Sequence, residues 1–155
     1  MPEDQKSACG GSPCIATAMR KASRRLSQLY DDALAPSGLR TTQYAILSEL
    51  ERRSKKPPTM RELAGAMVMD RSALGHNLRP LERDGLIALE ESKEDRRRRH
   101  VVVRAQGRAE HRKAKRHWQT AQGRFEEVYG KSEAAELRAI LLAIAHEDRL
   151  ATLKD

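Results

Sequence analysis

The stretch KEDRRRRHVVVRAQGR, residues 93–108, sets four consecutive arginines directly before three consecutive valines. Arg96, Arg97, Arg98 and Arg99 repel one another unless something anionic lies against them. Val101, Val102 and Val103 are β-branched and favour an extended strand. A charged tip on a β-forming stem reads as a hairpin that reaches outward, with its first strand at about Ile87–Glu90 and its second at about His100–Arg104.

The charge of the whole chain points the same way. In 155 residues there are 30 Lys/Arg against 22 Asp/Glu, a formal net charge of +8. Residues 93–117 hold 11 of the basic and 3 of the acidic residues, which leaves 19 of each elsewhere, so this window carries the whole excess. A surplus confined to one window marks a surface for an anionic partner rather than an evenly solvated helix. No apolar run approaches the roughly 20 residues needed to cross a bilayer. The start, MPEDQKSACGG, lacks the apolar core of a signal peptide, so a cytoplasmic protein with reduced Cys9 and Cys14 is expected.

Working outward from the hairpin, the pattern is helical on both sides. Residues 1–13 read as a flexible arm broken by Gly10, Gly11 and Pro13. Residues 14–40 form a first helix, with Ile15, Met19, Ala22, Leu26, Leu29 and Ala33 at helical spacing and Pro36 and Gly38 ending it. Thr41 or Thr42 is expected to cap a second helix, TQYAILSELERR. Thr59 caps a short third helix, with Glu62 in position to complete a capping box. Asp70 caps a fourth, RSALGHNLRPLERDG, which Gly85 stops. Residues 41–104 thus form one unit of helices and hairpin. Residues 105–155 are helical again, with a seam of His111, Ala114, Trp118, Ala121, Phe125 and Val128 at heptad-like steps. The last helix is apolar on most sides, as expected of a helix covered by another chain.

Two short helices joined by a tight turn and followed by a charged hairpin make a winged helix-turn-helix. The fold class is therefore mainly α with a small β wing, a DNA-binding lobe plus a helical dimerisation region. The second helix of such a motif enters the major groove by its N-terminal residues. Here these are Arg71, Ser72, Gly75, His76 and Asn77, whose donors and acceptors suit bases or phosphates. Gly75 costs about 1 kcal/mol relative to Ala inside a helix, and a close approach of DNA would account for it.

LAGAMVMDRSALGHNLRPLERDGLI followed by EDRRRRHVVVRAQG resembles the MarR family of bacterial transcription regulators, and LYDDALAPSGLRTTQYAILSEL resembles the first two helices of that family. Asp95-Arg96-Arg97 matches the family's wing motif D-x-R, and Gly107 matches the glycine that closes L-T-x-x-G. Arg104 stands where the family has a capping threonine. The resemblance implies a homodimer whose first, fifth and sixth helices form the body, with Arg97 entering the minor groove and Asp95 orienting the recognition-helix side. It also implies a repressor released from a pseudo-palindromic operator by a small effector bound near Ser27, Tyr30, Gln43 and Leu47. A phenolic or other aromatic acid would be typical.

The cysteines suggest an alternative, a thiol-based redox switch using Cys9 and Cys14. In the peroxide-sensing OhrR branch of the family the reactive cysteine lies on the first helix. An ungapped alignment puts that position on Ala16 and its second tyrosine partner on Thr41. Cys14 is two residues early, a turn of about 200° around the helix. A third reading is a winged-helix protein-interaction module. The five histidines include no i,i+4 pair, so no metal site is expected, and no cofactor motif or nucleophile–base pair marks an enzyme.

Overall fold

In a computed structural model of the chain, which describes residues 14–92, 95 and 98–151, six α-helices flank one two-stranded hairpin. The helices are α1 (Ile15–Leu34), α2 (Thr41–Arg52), α3 (Met60–Ala66), α4 (Arg71–Arg83), α5 (Ala105–Tyr129) and α6 (Lys131–Ala145). Strands β1 (Ile87–Glu91) and β2 (Arg99–Val103) pair antiparallel, with Ile87 opposite Val103 and Glu91 opposite Arg99. The fold is the expected winged helix-turn-helix with a helical body. The proposed N-terminal arm, Cys9 included, lies outside the described residues, as do Lys93, Glu94, Arg96 and Arg97 of the wing.

Short-range signals placed several helix ends. Thr59 Oγ1 accepts from the Glu62 N–H at 3.2 Å while Glu62 accepts from the Thr59 N–H at 2.7 Å, the reciprocal box that satisfies both donors. Asp70 accepts from the Ala73 N–H at 2.7 Å, and Gly85 takes φ +70° just beyond α4. The start of α2 differs from expectation. Thr41 is its first residue rather than its cap, and Asp31 of α1 accepts from both the Thr41 N–H and the Thr41 hydroxyl at 2.7 Å. The cap comes from another helix, and the same contact pins α1 to α2. Burial raises the Asp31 pKa, but the Thr41 hydrogen bonds and the Arg40 charge outweigh it and hold the carboxyl below its ordinary value.

The hydrophobic core is drawn from residues 34–114. Ile46, Leu47 and Leu50 from α2, Leu63 from α3, Leu74, Leu78 and Leu81 from α4, and Ile87, Val101 and Val103 from the wing all lie within it. The wing is anchored further by a bridge between Thr59 and His100, and by the Val101 N–H donating to Pro58 O at 2.9 Å. At the wing's root the Leu86 carbonyl accepts from the Arg104 N–H at 2.9 Å. Gly107 packs so closely against that carbonyl that a Cβ there would collide with it. The second strand therefore ends at Val103, one residue earlier than expected, and Arg104 turns the chain into α5.

The body helices are largely uncovered in a single chain. On α6 only Ala134 is buried, while Ile140 is 58% and Leu142 53% exposed, and Ile15 at the start of α1 is 71% exposed. The α5 seam divides. Ala114 and Ala121 are buried, and His111 and Trp118 lie against Tyr44 of this same chain, whereas Val128 is 57% exposed. Much of the seam is thus filled from within, and its C-terminal end and α6 carry the exposed apolar surface.

Gly107→Ala should destabilise the fold by more than about 2 kcal/mol in urea or thermal unfolding, because backbone rather than a movable side chain blocks the added methyl. Wild-type stability in this variant would show that the wing root can open to accommodate it.

Candidate nucleic-acid interface

The first turn of α4 presents Arg71 and Ser72 to solvent, and His76 lies exposed one turn further on. Asp70 leaves the other amides of that turn pointing outward, a partial positive charge that favours phosphate. Asn77 is half-buried and donates from Nδ2 to the Ala73 carbonyl at 2.8 Å, so its amide nitrogen is engaged along the helix. Gly75 has nothing within 4 Å of where a Cβ would stand and no positive φ. Neither packing nor backbone conformation within the chain requires a glycine there.

Near the wing tip the Arg98 N–H donates to the Asp95 carbonyl at 2.9 Å, and the Ser92 N–H donates to Arg98 O at 2.9 Å. The Arg98 guanidinium lies 3.6 Å from the Asp95 carboxylate, and Arg98 and Arg99 are exposed. Arg96 and Arg97, named from the D-x-R likeness, lie outside the described residues.

A second feature lies above the core. An open hollow of about 1080 Å³ is bordered by α1, α2, α5 and α6, with Tyr30, Tyr44, Met67, His111, Trp118 and Leu137 in its walls. Of the residues named for an effector, Ser27 and Tyr30 line it. Gln43 instead accepts from the Arg40 N–H at 2.9 Å and borders a separate hollow of about 250 Å³ beside His76. Leu47 is fully buried in the core. Tyr44, His111 and Trp118 were legible only as apolar or seam positions, because their meeting depends on how α2 and α5 cross.

That meeting forms an aromatic wall. The Tyr44 and His111 rings stack with centroids 4.9 Å apart, and Tyr44 and Trp118 at 6.1 Å. Ser48 donates to the Tyr44 carbonyl and lies 2.9 Å from His111 Nε2. Burial pushes the His111 pKa below its ordinary value near 6.5, with Glu51 opposing and Lys115 and Arg112 reinforcing. The Tyr30 hydroxyl donates to Gln122 at 2.7 Å, and burial first and Glu126 second raise its pKa.

Cys14, the residue before α1, is exposed, and hydrogen bonds from the Thr17 side chain and then the Thr17 and Ala16 amides lower its thiol pKa. Among the described residues no group of His, Cys, Asp and Glu could hold a metal ion, and no helix is long and apolar enough to cross a membrane.

Comparison with known proteins agrees with this geometry. A profile of the MarR family matches residues 37–98, the span of the helix-turn-helix and the first strand of the wing. MosR, a transcriptional regulator of M. tuberculosis solved in complex with DNA, superposes with a TM-score of 0.79 at 31% identity, covering 90% of this chain and 99% of its own. The chain belongs to the MarR family. It is therefore a DNA-binding transcriptional regulator, a class of proteins that are not enzymes. The repressor CouR on a 23-mer DNA duplex aligns at 25% identity and TM-score 0.77, over 86% of this chain and 93% of its own. CouR from Rhodococcus jostii RHA1 bound to p-coumaroyl-CoA, at 23% identity and TM-score 0.75 over 88% and 94% of the two chains, shows the shared fold. No curated protein matches the sequence.

Two outcomes follow for this MarR-family regulator. Gly75→Ala should raise folding stability by up to about 1 kcal/mol, since the methyl meets open space in the free protein, and should weaken DNA binding if the glycine serves a close approach of DNA. A variant that is more stable and binds unchanged would remove the close approach. His111 gives a pH dependence. The unfolded chain takes up a proton on this ring at a pH where the folded chain does not, so stability falls as pH drops through about 6.5 toward the lowered folded value. His111→Gln should lose less stability than wild type between about pH 7 and about pH 5. Parallel curves for the two proteins would count against the half-buried neutral ring.

Proposed function

We propose that the protein is a homodimeric repressor that binds a pseudo-palindromic operator and is released by a small aromatic anion. The observation that carries the reading is the placement of the charge surplus. The described basic residues of the 93–117 window run from Arg98 and Arg99 on the wing to Arg116 on α5, in the same lobe as the capped recognition helix α4 and in its continuation. A single such unit reads one half-site. The exposed apolar residues of α1, the end of α5 and α6 give a second copy a surface to cover, which would double the half-site into a palindrome. In the DNA complex Ser72 and His76 would face base edges, and Arg71 would reach a base or phosphate. Arg97 at the wing tip would enter the minor groove, with Asp95 orienting the tip.

The effector would occupy the hollow between α1, α2, α5 and α6, beside Ser27, Tyr30 and the stacked Tyr44, His111 and Trp118. Apolar and aromatic walls suit an aromatic ring, and Lys115 on the same lining suits its negative charge, while Arg52 there is held by Glu49. Met67 connects this hollow to the DNA side. It ends α3, lines the hollow, and precedes Val68, a β-branched residue held at φ +51° in the turn to α4. A ligand that displaces Met67 acts on a strained turn two residues before the Asp70 cap. Redox release through Cys9 and Cys14 is the second reading, favoured by the exposure and lowered pKa of Cys14.

The test is selection of a binding site from random-sequence DNA together with light scattering at micromolar concentration. The expected result is a dimer and a palindrome with half-sites about one helical turn apart. A monomer, or no consensus, would overturn the reading. Benzoate- and cinnamate-type acids and their coenzyme A thioesters should then release the selected DNA, and Met67→Ala should raise the concentration required. Release by peroxide from wild type but not from Cys9→Ser/Cys14→Ser would favour the redox switch instead.

A further inference from the structure

A second hollow, of about 820 Å³, lies between α3, the start of α4 and the inner side of the wing. Four arginines border it: Arg61 on α3, Arg71 at the start of α4, and Arg98 and Arg99 at the wing. Each comes from a different part of the chain or from the base of the tip, so the convergence is produced by the fold and has no counterpart in any single run of sequence. All four are exposed. Among the described residues Arg61, Arg71 and Arg99 have no ion pair or side-chain hydrogen bond, and Arg98 is held at the longer distance of 3.6 Å from Asp95. Some arginines elsewhere find acids nearby, as Arg52 and Arg53 do on Glu49, Arg108 on Glu51 and Arg83 on Asp84, and others, Arg79 and Arg104 among them, find none among the described residues; what sets these four apart is that they converge on one hollow. The single carboxylate in the lining, Glu62, is committed to the amide and hydroxyl of Thr59 at 2.7 and 2.9 Å.

Groove geometry says what such a hollow would receive. When a recognition helix lies in the major groove and a wing tip in the adjacent minor groove, one sugar–phosphate strand must pass between them. The hollow is the space between those two elements. Met60, Ala64 and Leu89 form its floor, and the four cations at its border suit a polyanion backbone, with no pattern of paired acceptors that would read bases. Facing arginines tolerate this crowding when phosphates separate them.

We infer that this hollow is a cradle for the phosphodiester strand that divides the two grooves, and that Arg61 of α3, outside both the recognition helix and the wing, is one of its phosphate ligands. The inference rests on the DNA-binding reading above and adds to it a positioning residue. Arg61 fixes the depth at which α4 sits in the groove and contributes affinity without sequence preference.

The experiment measures binding of the full chain to the selected operator and to a shuffled duplex of equal length, across a salt titration. Arg61→Ala should weaken binding to both duplexes by about the same factor, about tenfold near 0.1 M salt, and reduce the slope of log K against log salt by about one unit. Arg61→Lys should keep the slope. Arg124→Ala, which removes the same charge from α5 outside the basic window, should leave the slope within error, and thermal unfolding should show each variant folded. Replacing single backbone phosphates by methylphosphonates should then reveal one position at which wild type loses affinity and Arg61→Ala loses none. An unchanged slope in folded Arg61→Ala would overturn the cradle, as would a loss confined to the operator, which would make Arg61 a base-reading residue. Failure of wild type itself to bind either duplex in a salt-dependent way would instead reject the DNA-binding reading beneath it.

Discussion

The Leu86 carbonyl is the point at which three parts of the molecule are held to one another. It ends the turn after α4, accepts the Arg104 N–H where the second wing strand stops, and packs against Gly107 in the first turn of α5. Recognition helix, wing and body helix leave this point in different directions. Because a hydrogen bond on one side and a contact with no room for a side chain on the other both fix the same atom, the angle between wing and body has little freedom. The charged surfaces depend on that angle. Arg98 and Arg99 on the wing would not face Arg61 and Arg71 on the helices if the hairpin were splayed.

The Asp31–Thr41 contact performs a similar task at the other end of the lobe. It satisfies two donors at the start of α2 and ties α1 to the core through a partly buried carboxylate. The body is otherwise lightly attached within one chain, with Tyr30 reaching Gln122 across α1 and α5 and an aromatic stack joining α2 to α5. A lobe rigid around its own core, joined to helices that keep apolar faces exposed, suits a protein whose lobes are positioned by a partner copy and repositioned by a ligand between them.

Local chemistry was the legible part of the sequence. Thr59 with Glu62, Asp70 and Gly85 act over three or four residues, and the structure places each as the spacing predicts. The valines and the charge surplus likewise identified the wing. What distant segments decide together was not legible. Asp31 caps α2 from another helix, where the local rule favoured Thr41. Leu47 and Tyr44 lie three residues apart on α2 and both are buried in the core, yet only Tyr44 also lines the hollow, where α5 crosses α2. The seam on α5 has the period of an intermolecular contact but is half filled by Tyr44 of its own chain. Arg61 gives no signal in a linear reading, since its neighbours in charge lie ten and nearly forty residues away.

The central claim is that α4 enters the major groove of DNA once per subunit of a two-fold dimer. The most direct measurement attaches a hydroxyl-radical-generating chelate to Ser72→Cys, in a Cys9→Ser/Cys14→Ser background, and maps strand cleavage on the selected operator. The account predicts two clusters of cuts related by the operator's two-fold axis and separated by about one helical turn, with the pattern expected of a probe in the major groove. A single cluster, or diffuse cutting along the whole duplex, would contradict it.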